Sequence, residues 1–73
     1  MKTHKLKIYP MYLKAILDGS KTWECRENDR NFQISDELLL QEWDAGYTGK
    51  ELLVKITYLF KGRDMVLMII TVL

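Results

Sequence analysis

An α+β, mainly β fold is predicted: a small sheet of about five strands, curled or closed into a barrel, with one short helix covering an opening. Three features point to it. Glu51 to Phe60 alternates apolar and other residues with a period of two. Met11 to Asp18 carries apolar residues at helical spacing. Met65 to Leu73 is an almost wholly apolar run that suits a strand in the middle of a sheet. Closure is favoured because it removes the sheet edges that invite aggregation.

Taken in order, Lys5 to Tyr9 alternates Lys5, Leu6, Lys7, Ile8 and predicts a first strand with Leu6 and Ile8 facing inward. Pro10 ends it. Leu13, Ile16 and Leu17 then share one face of a helix of about two turns. Pro10 suits its first turn, and Gly19 the position just beyond its C-terminus.

Lys21 to Arg26 predicts a second strand. Trp23 and Cys25 are expected on its inner face, as core residues, and Thr22, Glu24 and Arg26 on the outer one. Glu27 to Asn31 reads as a loop and Ser35 with Asp36 as a turn. Leu38 to Trp43 is a third strand whose consecutive leucines suggest burial on both sides. A loop at Ala45 to Gly49 leads into the fourth strand of a hairpin, Glu51 to Phe60, with Leu52, Val54, Ile56, Tyr58 and Phe60 expected on one face. Lys61 to Asp64 turns the chain into the last strand.

At 73 residues the chain is a single domain, spanning 1–73, near the lower size limit for a core that holds without disulfides or metal. One cysteine, Cys25, excludes an internal disulfide, and one histidine leaves no zinc-ligand set. No metal or cofactor is expected. Cys25 itself reads as an inert small core residue, and a reducing, cytoplasmic setting fits. The N-terminus has no secretory apolar stretch, and no run approaches the ~20 residues of a membrane span.

Net charge is only +1, which excludes a broadly basic nucleic-acid coat. Its distribution is uneven. Residues 1–30 hold seven Lys or Arg against four acids, and residues 31–73 four against six, so an anion-attracting surface is expected in the N-terminal part.

The run GSKTWECRENDR, residues 19–30, packs six charges into twelve positions. Two readings compete for it. Lys21, Glu24 and Arg26 can form an exposed ladder of salt bridges worth roughly 0 to 1 kcal/mol. Alternatively they form one polar site with Asn28, Asp29 and Arg30. Glu24 and Arg26 lie two apart on a strand, hence on one face at roughly 7 Å. A guanidinium reads paired acceptors and a carboxylate accepts from an exocyclic amine, the types that nucleotide recognition uses. Asp29 also suits an Asx-type turn.

Gly19, Lys21, Glu24 and Arg26 spell G-x-K-x-x-E-x-R between a short helix and a strand, which resembles the signature of the ASCH domains, a branch of the PUA-like β-barrels associated with RNA. A closer resemblance spans nearly the whole chain, to short bacterial and phage proteins of that branch whose pattern runs H-x-L-K … G-x-K-x-x-E-x-R-x-N-D-R-x-F. His4, Leu6, Lys7, Gly19, Lys21, Glu24, Arg26, Asn28, Asp29, Arg30 and Phe32 supply it here, with Asp36 and LQEW, residues 40–43, beyond. Departures are Ser35, where the pattern has glycine, and the bulky MVLMIITVL end.

The resemblance implies a PUA-like barrel with a cleft lined by the motif. The expected function is a small nucleic-acid or nucleotide binding domain that takes single-stranded or flipped RNA. Its expected ligands are Lys21, Glu24, Arg26, Arg30, Asn28 and His4. Trp43 reads most simply as a core residue, with a stacking face for a base at its strand end as the alternative. A second reading is an amidohydrolase acting on N4-acylated cytidine, because similar ASCH proteins use a Lys at the Lys21 position with a Thr and a Glu. Lys21 and Glu24 are then the catalytic candidates, with the Thr position occupied by Glu24 and Glu42 as a guess for the second carboxylate. A third is a phage or plasmid accessory protein that binds a host protein.

Overall fold

A computed structural model describes all residues, Met1–Leu73, as five strands and one helix: β1 Thr3–Ile8, α1 Pro10–Leu17, β2 Trp23–Glu27, β3 Glu37–Trp43, β4 Tyr47–Lys61 and β5 Met65–Val72. They form one sheet in the order β1-β3-β4-β5-β2, a half-barrel. β1 runs parallel to β3, a connection that needs a crossover, here through α1 and β2. All other neighbours are antiparallel.

The core fills the concave side. Leu6 and Ile8 from β1, Leu38 and Leu40 from β3, Val54 and Ile56 from β4, and Val66, Met68 and Ile70 from β5 meet Leu13 and Ile16 of α1, and Phe32 enters from the loop after β2. Leu17, expected with the helix's apolar face, is exposed. Pro10 opens the helix at its first turn, and Gly19 follows it at φ +85°, a left-handed conformation that suits glycine.

Three expectations are corrected. On β2 the inner residue is Glu24, while Trp23 is 45% exposed and Cys25 is also outside. The register pairs Glu24 with fully buried Met68, and Trp23 and Cys25 with outward Ile69 and Leu67. Polarity alone mis-assigns this strand because Lys21 and Arg26 satisfy the buried carboxylate. On β4 the period-two face breaks at a bulge between Ile56 and Tyr58. The extra residue flips the phase, so Val54 and Ile56 stay inside while Tyr58 and Phe60 point out, Phe60 at 67% exposure. On β3 only Leu38, Leu40 and Glu42 are buried, and Leu39 is half-buried, so one face is covered rather than two.

The turn into β4 is also shorter than the sequence suggests, since the strand already begins at Tyr47. Because β5 is apolar on both faces, the convex side carries a patch of two cross-strand rows, Tyr58–Ile69–Trp23 and Phe60–Leu67–Cys25.

The two ends of the sheet order, β1 and β2, share no backbone ladder. Two arginines join the seam: Arg26 Nη2 donates to the Lys7 carbonyl at 2.7 Å and Arg30 Nη1 to the Lys5 carbonyl at 2.8 Å. Carbonyls two residues apart on a strand point to the same side, so both bonds fall on one edge of β1.

Candidate functional site

Glu24 organises the seam. Its side chain is 4% exposed, and each carboxylate oxygen takes a separate cation: Oε1 accepts from Lys21 Nζ at 2.5 Å and Oε2 from Arg26 Nε at 2.7 Å. Hydrogen bonds between ionised partners are the strong kind, and here they satisfy a carboxylate that burial would otherwise penalise. Lys21 reaches Glu24 from the turn after α1, where its amide donates to the Ala15 carbonyl. Its ammonium sits 4.8 Å from the Tyr12 ring centre and 4.9 Å from that of Trp23, within cation–π range.

Above this triad lies an open cavity of about 320 Å³ between β1, β2 and the start of α1. Tyr9, Tyr12 and Trp23 supply exposed aromatic surface to it. Three cations, Lys7, Lys21 and Arg26, and one carboxylate, Glu24, give it a positive balance. Of the three, Lys7 has no carboxylate partner. Its ammonium rests 3.9 Å from the Trp43 ring centre, and Trp43 meets Tyr47 edge-on. A second hollow of about 310 Å³, lined by Lys7, Ile8, Tyr9, Arg26 and Trp43, adjoins the first. Arg26 spends Nε and one Nη2 proton on Glu24 and Lys7, which leaves the other guanidinium donors for a ligand.

The structure thus brings Lys21, Glu24 and Arg26 together and puts the other expected ligands elsewhere. Arg30 holds the β1 edge and stands 4.0 Å from Asp29. Asn28 donates its amide to the Asp64 carbonyl beside a shallow hollow at the β4–β5 turn. His4 is buried, with Nε2 2.9 Å from Asp36 Oδ2 and its ring edge-on to Phe32. Asp36 also accepts from the Lys2 and Gln33 amides. Burial disfavours its charge, yet the His4 bond and the two amides prevail and hold its carboxyl below the ordinary value. Glu42 accepts from Thr48 in a separate hollow under α1, so it shares no cavity with Lys21.

Sequence reasoning missed Lys7, Tyr9 and Tyr12 as cleft residues and took Trp23 for core. A signal for Lys7 did exist, in the H-x-L-K start of the pattern around His4. The tyrosines carried none, because one residue just before a short helix and one exposed residue on it make no period.

A match to the domain of unknown function DUF3850 spans residues 3–69, nearly all of the chain and every residue of the cleft. The chain belongs to the DUF3850 family. It is also 39% identical over 57 residues to an uncharacterized 12.9 kDa protein in the GpA 3′ region of Escherichia phage P2. That similarity covers 77% of this chain and 52% of the relative, so the chain spans about half the length of the phage protein it matches. No helix of this DUF3850 chain is long and apolar enough to cross a membrane.

Proposed function

We propose that this DUF3850 chain is a PUA-like barrel of the ASCH type that binds nucleotides, with single-stranded RNA as its ligand class. The observation that carries the reading is the cleft itself: a buried carboxylate paired with two cations, a third cation, Lys7, in the lining, and exposed aromatic rings beside them. Aromatic faces stack bases without regard to sequence, and a few cations hold the backbone. Lys7 and the remaining donors of Arg26 are the phosphate contacts, Tyr12 and Trp23 the stacking walls, and Glu24 the group that fixes both Lys21 and Arg26. A cavity near 320 Å³ lies at the lower end of small-ligand sites and suits one base with its phosphate rather than a duplex.

Fluorescence anisotropy with short single-stranded RNA tests this. Lys7→Ala is the informative variant because it leaves the Glu24 triad intact, whereas Lys21→Ala or Arg26→Ala also strips a buried carboxylate. The expected results are weakened binding in folded Lys7→Ala and a shallow salt dependence, a slope of about −1.4 for two phosphate contacts. Unchanged binding in that variant, or none in the wild type, overturns the reading. The amidohydrolase alternative needs a threonine and a second carboxylate beside Lys21, and the cleft lining holds neither. Incubation with N4-acetylcytidine distinguishes it: sustained cytidine release would favour catalysis over binding.

A further inference from the structure

We infer that the cleft takes two successive nucleotides of a single strand, the second base stacking on Trp43 while Lys7 leaves that ring for the phosphate between the two. The inference rests on the nucleotide-binding reading and adds a second subsite to it.

The two hollows are neighbours, with Lys7, Ile8, Tyr9 and Arg26 lining both. Each half has its own aromatic surface, Tyr12 and Trp23 in one and Trp43 in the other. Lys7 and Arg26 are the cations common to both halves, where the phosphodiester linking two bases would lie. A lone monophosphate needs only one half.

Lys7 is suited to a change of partner. It makes no ion pair, and its tether to Trp43 is a cation–π contact at a partly open site, weak enough to exchange. A base sliding over Trp43 replaces the ammonium on the ring and delivers a phosphate to it, so the ring keeps a partner and the cation gains a stronger one. Arg26 stays anchored by Glu24 and the Lys7 carbonyl and offers its unused N–H groups to the same phosphate. Tyr47, exposed and edge-on to Trp43 at 4.9 Å, stands beside the contact with its own ring centre 5.7 Å from the Lys7 ammonium, so the cation keeps a second aromatic neighbour as it exchanges.

The chain's two tryptophans fall one to each half, which makes the test direct. Trp23→Phe leaves Trp43 as the sole indole reporter, and Trp43→Phe leaves Trp23. Each is titrated with AMP and UMP and with the dinucleotides ApA and UpU. A mononucleotide is expected to quench Trp23 and leave Trp43 bright, and a dinucleotide to quench both. The dinucleotide also binds wild type roughly 5- to 150-fold more tightly than the mononucleotide, the gain one added stack gives. Trp43→Leu and Lys7→Met bring that ratio toward one. If mononucleotides bind but dinucleotides bind no tighter and leave Trp43 unquenched, the second subsite is refuted and the binding reading stands. If neither quenches either indole and neither binds, the binding reading falls and takes the inference with it.

Discussion

Replacing Glu24 by glutamine keeps the side-chain volume and removes the charge that Lys21 and Arg26 share. The carboxylate is 4% exposed, so its two partners are left facing an amide inside the seam. Breaking a buried pair by deleting one member costs about 3–5 kcal/mol. Lys21 and Arg26 retain 13% and 25% side-chain exposure and can turn partly toward solvent, which places the loss at the lower end, about 3 kcal/mol. In a domain of this size each kcal/mol moves the melting midpoint by about 4–8 °C, so the expected fall is about 12–24 °C. Thermal melts followed by far-ultraviolet circular dichroism measure it. A cycle with Lys21→Met and the double variant isolates the pair, with an expected coupling of about 1 kcal/mol or more. A midpoint within about 4 °C of wild type, or single costs that simply add, would mean that the triad is the solvent-screened ladder of the competing sequence reading, worth at most about 1 kcal/mol.

Three further outcomes follow from the fold. Phe60→Ala changes stability by less than about 0.5 kcal/mol because Phe60 points outward past the bulge, whereas Phe32→Ala costs about 3–5 kcal/mol; urea melts compare them directly. Ser35 sits at φ +78°, a left-handed conformation costly for any side chain, so Ser35→Gly raises stability by about 1 kcal/mol in the same assay. Because Asp36 titrates below its ordinary value when folded, its contribution is fully present above about pH 4 and is lost as pH falls through the lowered folded value. Midpoints measured from pH 6 down to 2 therefore drop in wild type, and Asp36→Asn, less stable at pH 6, shows a shallower acid limb that the wild type approaches.

Where local chemistry decides, the sequence was readable. Alternation in β1, Pro10 and Gly19 around α1, and the internal position of apolar β5 all follow from short-range rules that the structure obeys. The grouping of Lys21, Glu24 and Arg26 was readable too, since two of them share a strand face and the third lies one turn away. Which face that was depended on partners. A carboxylate looks like a surface group until two cations are known to reach it, and Trp23 looks like core until its register with Ile69 is known. The bulge before Tyr58 leaves no mark in an unbroken alternating run, because it is set by pairing with β5. Arg30 resembles a ligand residue in the linear chain, but its partner is a backbone carbonyl 25 residues earlier.

The arginines across the seam set the width of what they join. A guanidinium at the end of a long side chain bridges a gap that direct pairing would narrow to about 4.8 Å. Had β1 and β2 formed a ladder, the barrel would have closed and the space now lined by Lys7, Ile8 and the residues of β2 would have been filled by backbone. The cleft is therefore a missing row of backbone hydrogen bonds held open by two side chains. Those side chains also occupy two of the carbonyls by which β1 could recruit a foreign strand. One device thus caps part of an open sheet edge and leaves a doorway in its own wall.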